Sequence, residues 1–127
     1  MKSFFGIVLL LSACIFANEF TFATWNLRWQ SKGDKENGNG WDKRVKPISD
    51  VINFYDFDIV NTQENSEAHV RDLMPYLPNY EIIQVDTLEH NAILLKKGKF
   101  EVLEKGRFYL SKTPKKRSKS WDSKHTR

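Results

Sequence analysis

Apolar and polar positions follow different periods along the chain, and each change of period marks an element. Residues 20 to 27, FTFATWNL, are aromatic and β-branched over the length of a strand. Phe20, Phe22, Thr24 and Asn26 share one face and Thr21, Ala23, Trp25 and Leu27 the other. Neither face is strongly polar, which predicts an interior strand covered on both sides. Residues 30 to 40, QSKGDKENGNG, carry no apolar period and predict a loop. From there Trp41, Val45, Ile48, Val51, Ile52 and Tyr55 recur at three and four residues, the spacing of one helical face. Pro47 lies inside this span. It either begins the regular part of the helix, with Lys46 as the irregular junction, or kinks it near its first turn.

Residues 57 to 63, FDIVNTQ, predict a second short strand. Strand, helix and strand in that order form a βαβ crossover, so the two strands run parallel. Ser66 caps a second helix with Glu67 in its first turn; Val70, Leu73, Met74 and Leu77 form its apolar face, and Pro75 and Pro78 close it. Three more strands are predicted at residues 80 to 85, 92 to 97 and 100 to 110. Lys97-Gly98 and the residues before Asn91 provide turns between antiparallel neighbours. The fold class is therefore α/β (α+β), a mixed β-sheet flanked by helices. From Ser111 onward the apolar residues vanish except for Trp121, which predicts a loop or frayed end.

The amino end and the charge distribution refine this picture. Met1 and Lys2 precede an apolar block of signal-peptide length, too short to span a bilayer comfortably. Residues 1 to 17 are thus expected to direct export. Two exits fit: cleavage after Ala17, giving a periplasmic or secreted product, or lipidation of Cys14 in the lipobox-like LSAC, giving membrane attachment. Cys14 is the only cysteine, which excludes an intramolecular disulfide and a cysteine zinc site. The formal net charge of +4 is unevenly spread. Residues 112 to 127 hold seven basic residues and one acid, or +6, while residues 1 to 111 hold 13 basic and 15 acidic, or −2. A basic run of this kind is ordinarily a solvated segment; its functional reading is attraction to the phosphates of nucleic acid or anionic lipid.

Candidate chemistry follows from the parallel pair. In DFDIVNTQE, residues 56 to 64, a buried run ends on Gln63 and Glu64. Parallel strands place Asn26 and Glu64 at one edge of the sheet, the carboxyl edge where ligands of open α/β sheets bind. A carboxylate at the rim of a core calls for something positive, and Mg²⁺ held by one or two carboxylates and several waters is one candidate. The alternatives are that Glu64 pairs with Arg28 or points into solvent. His69, on a helix, His90, before a strand, and His125, in the tail, are expected at the surface.

The segments TWNLRW (24 to 29), NGWDKR (39 to 44), DFDIVNTQE (56 to 64), NAILLKK (91 to 97) and FYLSKTPKKRSKSWDSKHTR (108 to 127) together resemble the endonuclease/exonuclease/phosphatase superfamily, over residues 20 to 127. The resemblance implies a four-layer αββα sandwich, of which this chain would be the N-terminal half. It also implies hydrolysis of phosphoesters with Mg²⁺ or Mn²⁺. Glu64 maps onto the family's metal-binding glutamate and Asn26 onto the asparagine that helps hold metal or phosphate, so both are expected to be catalytic and metal-binding. Arg28 takes a supporting role, and Trp121 and Asp122 match a Trp-Asp pair with a packing or catalytic part. The family's later Gly-Asp-x-Asn segment and Asp-His pair do not occur in this chain.

The expected organisation is then a signal at 1 to 17, a partial domain at 18 to 111 and a basic tail at 112 to 127. The resemblance implies a metal-dependent phosphoester hydrolase of nuclease or phosphatase type, acting on a phosphoester substrate that nucleic acid would satisfy. The alternative is an inactive remnant, or a binding fragment whose tail contacts nucleic acid or anionic lipid.

Overall fold

The computed structural model describes residues 19–84 and 90–125. The expectations for residues 1 to 17, cleavage after Ala17 and lipidation of Cys14 among them, lie outside the described residues. Eight elements follow in order: β1 (Phe22–Asn26), α1 (Lys32–Glu36), α2 (Trp41–Tyr55), β2 (Ile59–Gln63), α3 (Glu67–Leu73), a 3-10 turn (Met74–Tyr76), β3 (Tyr80–Ile83) and β4 (Asn91–Lys96). The strands form one mixed sheet in the order β1-β2-β4-β3. β1 and β2 run parallel, with Asn26 opposite Gln63. β4 is antiparallel to both β2 and β3.

Register decides which side chains meet the helices. Ala23, Val60, Leu94 and Ile82 lie in one row across the four strands. They pack with Leu27, Trp41, Val45, Ile48, Ile52, Leu73, Leu77 and Tyr80 into a single cluster, so α2 and α3 cover this face. Removing that apolar area from water is the main stabilising term. The next row, Thr24, Asn61, Ile93 and Ile83, points to the opposite face.

Four expectations need correction. β1 is an edge strand, not an interior one, and Phe22, Thr24 and Asn26 on its second face are exposed. An aromatic face reads as buried from sequence, but side-chain type alone does not tell whether another layer covers it. Within residues 30 to 40 there is a short helix, α1, made by capping and not by apolar period: the Ser31 hydroxyl accepts from the Asp34 N–H. Residues 100 to 110 are not a strand. Among the described residues this segment joins no strand ladder; instead Glu104, Lys105 and Gly106 lie over the sheet's second face and wall a cavity of about 490 Å³ with Asn61, Gln63 and Ile93. On α2, Tyr55 is exposed while Ser49 is fully buried, its hydroxyl satisfied by the Lys46 carbonyl at 2.8 Å. The helix continues through Pro47, which sits on its exposed side where water can reach the carbonyl left without a donor.

Candidate functional site

The carboxyl ends of β1 and β2 are shaped by two departures from regular backbone. After Asn26 the chain adds one more ladder bond, Leu27 N–H to Gln63 carbonyl at 2.8 Å, and then turns at Arg28, whose φ is +59°. β2 turns likewise at Glu64, with φ of +57°. Neither residue is glycine, so both left-handed turns are strained, and such strain persists only where surrounding contacts hold it.

Those contacts converge on Glu64. The Asn26 Nδ2 donates to Glu64 Oε1 at 2.8 Å, and the Trp29 N–H donates to Glu64 Oε2 at 2.9 Å. Asn26 Oδ1 accepts from the Arg28 N–H at 2.7 Å. Because a backbone N–H can only donate, this last bond fixes which end of the Asn26 amide faces Glu64. The structure thus brings the two predicted site residues into direct contact, through the amide nitrogen and not the amide oxygen. The Asn26 amide foremost, and then the Trp29 N–H, hold the Glu64 carboxyl below its ordinary range; partial burial opposes them and the nearby Arg28 charge assists. Glu64 is an exposed carboxylate at neutral pH.

Arg28 does not neutralise it. Its guanidinium turns to Asp34, with Nε at 3.0 Å from Oδ2 and Nη2 at 2.7 Å from Oδ1. Asp34 is buried and its carboxyl is lowered, chiefly by this forked pair. Of the alternatives offered by the sequence, a Glu64–Arg28 pair is not formed, while the Glu64 side chain is exposed at the strand end and held by two hydrogen bonds.

Beneath the turn lie two residues that the sequence did not single out as part of it. Arg44, on α2, donates from Nε to the Asn39 carbonyl at 3.0 Å, from Nη1 to the Leu27 carbonyl and from Nη2 to the Arg28 carbonyl at 3.1 Å. His69, expected at the surface, is fully buried against Trp41, with ring centroids 4.1 Å apart. Its Nδ1 accepts from the Ser66 N–H at 3.0 Å, which leaves the ring proton on Nε2. Burial first, then the Arg44 charge, push the His69 pKa down, so the imidazole is neutral at pH 7. Its position at the third residue of α3 was visible in the sequence; that this helix face looks inward was not. His90 and His125 are exposed, and the His90 ring meets Trp29 edge-on at 4.7 Å. Trp121 is 68% exposed. Asp122 is exposed beside it.

A divalent cation can be tested against this donor set. Among the described residues no group of three or more His, Cys, Asp or Glu side chains could share an ion. Glu64 nevertheless keeps one lone pair free on each oxygen, since each accepts a single hydrogen bond. A hard cation that takes one protein carboxylate and retains its waters fits such a group. Asn26 Oδ1 likewise accepts one hydrogen bond, from the Arg28 N–H, and keeps its second lone pair, while Nδ2 orients the carboxylate.

Fold and edge together define an α+β protein whose polar cluster sits at the carboxyl ends of a parallel strand pair. Comparison with solved structures gives its family. An endonuclease/exonuclease/phosphatase family protein from Bacteroides thetaiotaomicron superposes with a TM-score of 0.79 at 35% identity, over 84% of this chain and 42% of that one. A mannosyl-6-phosphatase from the same organism gives 0.79 at 36%, over 86% and 43%. A family protein from Bacteroides vulgatus gives 0.75 at 27%, over 85% and 43%. The chain belongs to the endonuclease/exonuclease/phosphatase family, and it spans less than half the length of the structures it matches. No protein-family model matches it, and no curated protein does.

Proposed function

We propose that this chain carries the cation-binding edge of a metal-dependent phosphoester hydrolase, with Glu64 as the carboxylate that holds Mg²⁺ or Mn²⁺ and Asn26 as the residue that orients it. The observation behind the reading is the double clamp on Glu64, by Asn26 Nδ2 and the Trp29 N–H, between two strained turns at the carboxyl edge of β1 and β2. A cation bound there would act as a Lewis acid toward a phosphoryl oxygen. The residues of this chain keep the carboxylate ionised and fixed in direction. Since a structural neighbour is a mannosyl-6-phosphatase, a sugar phosphate monoester is the first substrate to assay.

The test is calorimetric titration of Mn²⁺ into the protein and into Glu64→Gln, with hydrolysis of mannose 6-phosphate followed with and without EDTA. Binding that weakens roughly tenfold or more in the variant supports the assignment. Equal Mn²⁺ affinity in the two proteins would remove Glu64 from the site, and hydrolysis indifferent to EDTA would remove the metal.

A further inference from the structure

The clamp on Glu64 has its own support on the other side of the backbone. The Leu27 carbonyl and the Arg28 N–H belong to one planar trans peptide, and the Arg28 carbonyl and the Trp29 N–H to the next. In each plane the carbonyl and the N–H point in opposite directions. Arg44 binds both carbonyls, at Leu27 and Arg28, while the two N–H groups point at Asn26 Oδ1 and Glu64 Oε2. Fixing the carbonyl of such a plane therefore fixes the aim of its N–H.

The third Arg44 donor holds the Asn39 carbonyl, which ties the same guanidinium to the segment leading into α2. The guanidinium also lies 5.5 Å from the centroid of the buried Trp41 ring. Five donors in a planar fork allow one side chain to serve three carbonyls; a lysine ammonium on a flexible stem cannot reproduce that arrangement.

We infer that Arg44 is a positioning residue for the cation site: by holding the Leu27 and Arg28 carbonyls it sets the two peptide planes whose N–H groups orient Asn26 and Glu64. It touches neither cation nor substrate. Its importance for binding rests on the reading of Glu64 as the cation ligand, whereas its hold on the two peptide planes does not.

Amide hydrogen exchange by NMR, with Mn²⁺ titration of the same samples, tests the inference on Arg44→Lys, which keeps the charge. The expected result is exchange at least about tenfold faster at the Arg28 and Trp29 amides, with Val60 and Leu94 protected as before, and roughly tenfold weaker Mn²⁺ binding. Wild-type protection at Arg28 and Trp29 in this variant would overturn the inference. If Val60 and Leu94 also lose protection, Arg44→Ala with and without ethylguanidinium decides. Selective recovery at Arg28 and Trp29 supports the role; recovery everywhere, or nowhere, overturns it. Mn²⁺ binding that ignores Glu64→Gln would sink the cation reading alone, and the exchange data would still judge Arg44.

Discussion

Asn26 uses both ends of its amide, giving Nδ2 to Glu64 and taking the Arg28 N–H on Oδ1. This makes it separable from a residue that merely adds negative charge. In Asn26→Asp the donor facing Glu64 becomes a second carboxylate at the same 2.8 Å spacing, and two anions that close cannot both ionise without a cation between them. The melting temperature of Asn26→Asp at pH 7 is therefore expected to fall below wild type and to recover in millimolar Mg²⁺, while the wild type gains less. A variant that melts lower and ignores Mg²⁺ would argue against a cation at this edge. That Asn26 and Glu64 meet at one edge was legible in sequence because alternation and parallel pairing locate strand ends without knowledge of loops. Arg44 was not, because its partners are backbone groups of a turn whose left-handed residue, Arg28, carries no sequence signal such as glycine; the burial of His69 was not, because the sequence does not show that its helix face packs on Trp41.

At the scale of elements, the start of α3 joins capping to the core. Ser66 accepts from the His69 N–H at 3.3 Å, and His69 Nδ1 accepts from the Ser66 N–H at 3.0 Å, a capping box in which histidine stands where glutamate or glutamine is usual. The helix has only seven residues, so its first turn is a large share of its hydrogen bonding. Ser66→Ala is expected to cost about 1 kcal/mol, read from the urea unfolding midpoint, and Ser66→Thr much less. Equal loss in both would show that the hydroxyl is not what matters. Helices and strands with a clear apolar period, α2, β2 and β4, were readable in advance. The helix α1 was not, since Ser31 and the forked Arg28–Asp34 pair create it without any apolar stripe. Nor was the course of residues 100 to 110, where alternation was present but no strand edge among the described residues received it.

Across the whole molecule, the lowered carboxyls of Glu64 and Asp34 at one pole of the sheet are matched by two groups at the other pole, Asp58 and Tyr80, that also set pH tolerance. Asp58, just before β2, accepts from the Thr21 N–H at 2.7 Å and the Thr21 hydroxyl at 3.1 Å and pairs with Lys99 at 2.7 Å. Lys99 first, then the Thr21 N–H, bring its carboxyl from 3.8 to about 2. Being lowered on folding, it contributes stability that is complete above its unfolded value and is lost as pH falls from there through about 2. Tyr80 is the mirror case at the same pole. Its hydroxyl donates to the Phe57 carbonyl at 2.6 Å, and burial, with Asp56 and Asp58 nearby, raises it from 10.0 to about 12. Its contribution is intact below pH 10 and is lost as pH rises through about 12. The five residues of β2 separate Asp58 from Glu64, roughly 20 Å of extended chain, well beyond the screening length of about 8 Å at physiological salt. The shares of the acid and alkaline limbs that Asp58 and Tyr80 carry are therefore expected to change without altering the cation site. Urea midpoints measured from pH 2 to 12 should show a plateau with two falling limbs. Asp58→Asn should flatten the acid limb and Tyr80→Phe should lessen the alkaline one, each leaving Mn²⁺ affinity at pH 7 as in the wild type. Altered Mn²⁺ affinity in either variant would mean that the two poles of the sheet are mechanically coupled, because charge alone does not reach from one to the other.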